Sequence, residues 1–292
     1  MTKSSIIVRA PATSANLGAG FDCLGLALDL WNEVAATPGI TQPDDAENLI
    51  LRSARAVYDH VGVAYPGFTL ACTNRVPFGR GLGSSSAAIA SGVLLANACL
   101  DEPLDRTALL EIATRIEGHP DNVAPCLLGG VRVATMADSG AVIQVGVPVA
   151  LDLRTVVFIP EQPVPTSHAR GVLPVSVPRA DAVFNVARSS LLVAALAAGR
   201  PDALAEATRD RLHQPYRLPL FPPGATLLDT AMQSGALGAF VSGAGPTVLA
   251  LCGDDSSADT VAAAFESAAH RLGVAGATLR LALTDRGAHV VA

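Results

Sequence analysis

The chain holds one lysine, Lys3; the other 19 of its 20 basic residues are arginines. A Walker A loop sets a lysine behind its glycine-rich turn, and none stands there in this sequence. Any bound nucleotide must be held by backbone N–H groups, serines, arginines and a metal ion. Charge is scarce as well: 16% of the 292 residues are charged, the net charge is -6, and no basic run occurs. That balance argues against nucleic acid or an anionic membrane as the main partner. The five cysteines (Cys23, Cys72, Cys99, Cys126 and Cys252) are odd in number and form no C-x-x-C pair. This leaves no signature of a zinc site or redox dithiol and leads us to expect reduced thiols in a cytoplasmic chain. The segment MTKSSIIVRAPAT has only a three-residue apolar stretch, Ile6–Val8, too short for a secretory core. A long charge-free run, between Arg80 and Asp101, includes two glycines and three serines at its start. It reads as a buried helix of a soluble core, since a membrane span wants about 20 predominantly apolar residues.

The most informative segment is Pro77–Ala88, PFGRGLGSSSAA. Gly79, Gly81 and Gly83 allow positive φ and close approach of a ligand to the backbone. Their N–H groups can form an anion nest, and a helix starting at the serines adds the positive end of its dipole. A phosphate suits this design; a ligand-free Gly/Ser loop entering an Ala-rich helix is the competing reading. The spacing G-x-G-x-G is also not that of a dinucleotide fingerprint.

Length predicts about two domains, with a break where prolines cluster at Glu161–Pro165. Strands are expected at Ser5–Arg9, Leu24–Leu30, Glu33–Ala36, Phe68–Asn74, Gly130–Thr135, Ala141–Val147, Thr155–Ile159 and Ala277–Leu283, with a strand–turn–strand over Ala239–Cys252 and a loop over Pro11–Gly20. Helices are expected at Ala46–Gly62, Ser84–Leu100, Asp105–Glu117, Asp181–Ala198, Pro201–Leu212, Ala225–Gln233 and Ser256–Leu272. Strands and helices mix without strict alternation, so the expected class is α+β, divided as 1–162 and 163–292.

Two further motifs stand beside the glycine loop. Ala10–Gly25 (APATSANLGAGFDCLG) sets Ser14, Asn16 and Asp22 among glycines, as an ordinary turn-rich connection also could. Gly238–Leu251 (GAFVSGAGPTVLAL) reads alone as a hairpin. In this order, over nearly the whole chain, the three resemble the motifs of the GHMP kinase superfamily. PATSANLGAGFDCLGLAL, EGHPDNVAPCLLGG, PTSHAR and HQPYR narrow the resemblance to its homoserine kinases. The resemblance implies an N-terminal domain like ribosomal S5 domain 2, a ferredoxin-like C-terminal domain and an active site between them. It also implies ATP and Mg²⁺, L-homoserine as the acceptor, O-phospho-L-homoserine as a product for threonine biosynthesis, and often a homodimer.

By the same resemblance Pro77, Gly79, Arg80, Gly81, Leu82, Gly83, Ser84, Ser85, Ser86 and Ala87 would hold the phosphates, with Asn48 and Leu49 beside the adenine. Ser86 stands where alanine is commoner. Mg²⁺ would fall to Ser85 and to Glu111, eleven residues before Asn122, with Glu117 as rival; read without the family, Glu111 is a surface partner of Arg115. Asn122, His119 and Thr166 would serve catalysis. Arg170 and Arg217 would clamp the acceptor carboxylate; Asp22 and Asn16 would take its ammonium, with His119 nearby, and Ser242–Pro246 would support the phosphate loop. Asn122 is an aspartate in mevalonate kinase-like members, and an amide cannot take up a proton at neutral pH. Arg9 and Ala10 stand where that branch has its lysine. The expected mechanism is therefore alignment and charge stabilisation, with Asp121 as a weaker candidate base. An isoprenoid or sugar-alcohol acceptor, and a catalytically silent binding protein of the same fold, are the competing readings.

Overall fold

The structure is a computed structural model that describes residues 5–39 and 47–291; Lys3 and Ala46 lie outside the described residues. Along the chain run β1 (Ile6–Asn16), β2 (Gly20–Pro38), α1 (Leu49–Val61), β3 (Phe68–Thr73), α2 (Ser84–Asn97), α3 (Arg106–Glu117), α4 (Pro120–Leu128), β4 (Val131–Met136), β5 (Val142–Val147) and β6 (Arg154–Pro160). Then come α5 (Thr166–Gly171), α6 (Arg179–Ala198), α7 (Leu204–Ala207), α8 (Gln214–Arg217), α9 (Pro223–Gln233), β7 (Gly238–Val241), β8 (Val248–Cys252), α10 (Asp255–Leu272), β9 (Gly276–Ala282) and β10 (His289–Val291).

Two sheets form. One has the order β10-β1-β2-β4-β5, with β3 also paired to β2; the other has the order β7-β8-β6-β9. Helices α1 to α4 bury one face of the first sheet through Val57, Ile89, Val93, Leu95 and Val123. Helices α9 and α10 bury one face of the second through Leu227, Val261 and Phe265. A third cluster joins the remaining faces: Leu24, Leu26 and Leu28 of β2 meet Val157, Phe240, Leu249 and Leu251, with Leu192 and Leu196 of α6. Strand alternation makes this possible, since β8 sends Val248, Ala250 and Cys252 to one core and Leu249 and Leu251 to the other.

The sheets divide the chain differently from a cut at 162. Strand β6 belongs to the second sheet, and β10 returns to the first. Where a loop over Pro11–Gly20 is expected, β1 runs to Asn16, because the first sheet pairs Pro11–Ala15 with β2. The two expected strands over 24–36 are one, bulged where the register shifts between Pro11 and Ala12. Only Leu204–Ala207 of the helix expected over 201–212 is α-helical. Helix α4 has no counterpart in the sequence reading, since Pro120 and Pro125 mask it. Helix α2 is buried along most of its length, as its small residues lead one to expect. Among the described residues one helix, α6, is long and apolar enough to cross a membrane by length and composition; it packs Leu192, Ala195 and Leu196 into the shared core.

Candidate active site

The glycine loop lies where the sheets meet. Gly79, Gly81 and Gly83 all have positive φ, at 65°, 75° and 69°. Two of them also have no room for a side chain. A Cβ on Gly81 would sit 2.1 Å from the Ser242 carbonyl oxygen, and one on Gly83 would sit 1.9 Å from Thr13 Oγ1. Ser242 donates from Oγ to the Gly81 carbonyl at 2.6 Å, so the second domain does brace the loop. Gly83 is the residue before α2, whose first turn is Ser84–Ser86 and has no side-chain cap; its free N–H groups and helix dipole suit an anion. Leu82 is fully buried, and its carbonyl accepts from Thr13 N at 3.1 Å. Arg80 turns away from this nest, giving Nε to the Pro160 carbonyl at 3.0 Å and its Nη atoms to the carbonyls of Phe78 and Glu161.

A cleft opens on this loop. Its walls bring together Asn16, Asp22, Gly79, Gly81, Gly83, Ser84, Ser85, Glu117, His119, Asp121, Asn122, Thr166, Arg170 and Arg217. Asn48 and Leu49 line an adjoining pocket with Phe78, Ala87 and Ser91, and Ser84 borders both spaces. Pro77, Leu82 and Ser86 shape the loop from behind without lining either.

Glu111 lines neither space, whereas Glu117 does. Six residues apart on α3, the two glutamates point to different sides. Glu117 accepts from Ser85 Oγ at 2.6 Å and from Ser86 Oγ at 3.3 Å. Counting eleven back from Asn122 thus reaches a residue outside the lining of this cleft, whereas its rival Glu117 lies within it. The Glu117 carboxylate and Ser85 hydroxyl offer the hard oxygen donors a divalent cation requires, within one hydrogen bond of each other and beside the phosphate nest.

The other end of the cleft is charged. Asn16 and Asp22 flank the β1–β2 turn and hold positive φ of 70° and 56°, a conformation that Asn and Asp tolerate. Asn16 accepts from the Asp22 N–H at 3.0 Å and donates Nδ2 to the Gly243 carbonyl at 2.8 Å. Its amide thus holds the turn to the second domain. Arg170 forks onto Asp22 with bonds of 3.0 and 2.8 Å, and this pairing raises its pKa. Arg217 is buried, and burial followed by the charge of Arg170 lowers its pKa to about 10. It remains a cation at neutral pH.

Helix α4 carries the third group. His119 precedes it and hydrogen-bonds Asp121 through Nδ1. Burial pulls the His119 pKa down, but the bond to Asp121 and its charge outweigh that, and the net shift is upward. Asp22, His119 and Asp121 offer polar atoms within 4.8 Å of one another. Asn122 accepts from Thr13 Oγ1 at 2.8 Å. The sequence reading omits Thr13; its place one strand residue before Ser14, in a run otherwise of small apolar residues, was the available signal. Thr166 opens α5 on the exposed rim.

Comparison with known proteins agrees with this geometry. Residues 48–130 match the family of GHMP kinases N terminal domains, and residues 192–271 match that of GHMP kinases C terminal domains. A homoserine kinase of Streptomyces avermitilis is 47% identical, over 99% of this chain and 96% of its own. One of Moorella thermoacetica is 43% identical, over 98% and 99%. The crystal structure of homoserine kinase from Cytophaga hutchinsonii superposes with a TM-score of 0.90 at 29% identity, covering 100% of this chain and 98% of that one. With both family domains present in order and relatives matched end to end, the chain belongs to the GHMP kinases, among the homoserine kinases of that superfamily.

Proposed function

We infer that the protein transfers the γ-phosphoryl group of ATP to the side-chain hydroxyl of L-homoserine, giving O-phospho-L-homoserine and ADP. The observation that carries this reading is one cleft with a lysine-free phosphate nest at one end and both signs of charge at the other. A free amino acid with a hydroxyl side chain is a zwitterion plus a nucleophile, and the cleft has a partner for each. Arg170 and Arg217 take the carboxylate, Asp22 takes the ammonium, and His119 with Asp121 sets the charge beside it.

On the donor side the loop Gly79–Ser86 binds the β- and γ-phosphates through N–H groups and hydroxyls, and Asn48 and Leu49 border the adenine. Glu117 and Ser85 would hold Mg²⁺, which when bound neutralises phosphate charge. Asn122 receives the acceptor hydroxyl. Thr13 occupies one lone pair of Asn122 Oδ1, and the second accepts a hydrogen bond from the hydroxyl, turning an oxygen lone pair toward phosphorus. As the new P–O bond forms and the bond to ADP breaks, the hydroxyl proton passes to the transferred phosphate. Asn122 acts by alignment, and the nest by stabilising charge that develops on the phosphoryl oxygens. Thr166 approaches that group from the rim. Five cysteines with no C-x-x-C pair suit a reducing cytoplasm.

The test is ADP release with MgATP and L-homoserine, mevalonate, galactose or no acceptor. Turnover is expected with L-homoserine alone. Turnover with mevalonate but not homoserine would overturn the acceptor assignment, and none with any acceptor would leave only a binding protein.

A further inference from the structure

Arg217 reaches the cleft from a fully buried neighbourhood, and its neighbours there are specific. Three contacts fix it. Nε donates to the Ala169 carbonyl at 3.2 Å, Nη1 donates to the Gly243 carbonyl at 3.0 Å, and Nη1 also lies 3.3 Å from Nδ1 of His213. Nη2 has no hydrogen-bond partner among the described residues.

His213 is fully buried and stands one helical turn before Arg217. Its ring stacks on Phe21 at 5.3 Å, and the Arg217 guanidinium lies 5.2 Å from the same Phe21 ring. Nε2 lies 2.8 Å from the carbonyl oxygen of Gly18. A carbonyl can only accept, so the ring proton sits on Nε2 and Nδ1 is bare. A bare Nδ1 can only accept from Arg217; a protonated Nδ1 would repel it. The turn bearing His213 is itself tied down. Asp210 accepts from the N–H groups of Leu212, His213 and Gln214, and from Nδ2 of Asn185 on α6.

We propose that His213 is a positioning residue for the acceptor carboxylate: the Gly18 carbonyl fixes its tautomer, and the bare Nδ1 holds Arg217 Nη1 so that Nη2 faces the cleft. This rests on the reading of Arg217 as a carboxylate clamp. The Gly18 contact gives it a second consequence. Gly18 lies in the turn between Asn16 and Asp22, so one imidazole ties the residue that meets the carboxylate to the turn that meets the ammonium.

The charged groups around the ring are Asp210, Arg217 and Asp22. Burial first, and then the charge of Arg217, keep its pKa below the ordinary histidine value of 6.5. The ring is thus neutral at neutral pH. Protonation occurs only as pH falls below that value, and it breaks the contact with Arg217.

The experiment compares His213→Gln, His213→Asn and Arg217→Ala by steady-state kinetics with MgATP. Gln can still donate to Gly18 but leaves no acceptor near Arg217; Asn places an amide oxygen near the Nδ1 position. Expected for His213→Gln is a rise in KM for L-homoserine of roughly 10- to 100-fold, the range for lost orienting contacts, with KM for ATP unchanged. Asn should recover much of that loss. The wild type should show KM for homoserine rising on acidification, and the Asn variant should not. If Arg217→Ala raises that KM and His213→Gln does not, the positioning role is overturned while the clamp stands. If Arg217→Ala itself leaves the KM unchanged, the clamp reading fails and this proposal with it. The double variant, His213→Gln combined with Arg217→Ala, decides coupling: a loss no larger than that of Arg217→Ala alone supports the proposal, and additive losses refute it. Should His213→Gln fail to fold, the acid limb of wild type against the Asn variant decides alone; identical limbs refute the proposal.

Discussion

The two ends of the cleft solve the same problem, holding a charged substrate, with opposite materials. The donor end is one continuous segment of backbone N–H groups and hydroxyls, and its only cation, Arg80, is spent on carbonyls outside the nest. The acceptor end is built from full charges on four separate stretches: Asp22, the His119–Asp121 pair, Arg170 and Arg217. A polyphosphate carries so much charge of its own that oriented dipoles and a cation suffice, and dipoles fixed by folding need no reorganisation. A zwitterion has no net charge to attract it. It is recognised only if both of its ions find partners at the right separation, and those partners must be stabilised when buried. Asp22 and Arg170 meet that need by pairing with each other.

The comparison breaks first at Glu117, the anion that bonds the serines opening α2. Glu117→Gln preserves an acceptor for Ser85 but removes the anion. The expected loss is at least about 100-fold in kcat, with the rate requiring much higher Mg²⁺. Magnesium titration of initial rates is the check, and an unchanged metal dependence would place the cation elsewhere.

Gly83→Ala tests whether the two ends are independent. The new Cβ meets Thr13 Oγ1 at 1.9 Å, and Thr13 orients Asn122. Added to it is the left-handed backbone cost of about 1–2 kcal/mol for any residue with a Cβ. The variant should lose stability by about 1–3 kcal/mol in urea melts. It should also lose kcat by roughly 10- to 100-fold, because the acceptor hydroxyl is no longer aligned. A variant with a lower midpoint of unfolding but full kcat would separate the loop from Asn122.

Asp22→Asn strikes the acceptor end alone. It leaves Arg170 without its counter-ion and the ammonium without a charge to meet. Breaking such a half-buried pair costs about 2–3 kcal/mol, roughly 30- to 150-fold in kcat/KM for homoserine. The KM for ATP should hold. Equal effects on both substrates would mean that Asp22 acts through the fold of the turn instead of through charge.

How much of this was legible follows the same division. The donor end is contiguous, so the glycine spacing of Pro77–Ala88 leads one to expect a phosphate nest there, against a ligand-free loop. The acceptor end is scattered, and no local rule selects Arg170 and Arg217 from 19 arginines; resemblance to a family did that. What neither route could supply depends on packing. Thr13 holds Asn122 only because β1 runs past the glycine loop. The Asp210–His213–Arg217 chain needs the turn before α8, which is tied to α6 through Asn185. Strand β6 joins the second sheet although the prolines that suggest a boundary follow it, because pairing partners β8 and β9 come from far along the chain. Local propensity carries no information on such partners.

The smallest expected effect is the sharpest on this point. Glu111 and Glu117 share one helix and one charge, and spacing to Asn122 favours the first. The cleft contains only the second. A metal ligand has to reach the phosphate nest, and only Glu117 bonds the serines that open α2. Glu111→Gln should therefore leave kcat and magnesium dependence within about twofold of wild type and shift stability by no more than about 0.5 kcal/mol, as for other substitutions away from buried networks. The same assay that condemns Glu117→Gln measures it. A loss from Glu111→Gln comparable to that from Glu117→Gln would mean that the cation is held from further along α3 than the cleft geometry allows.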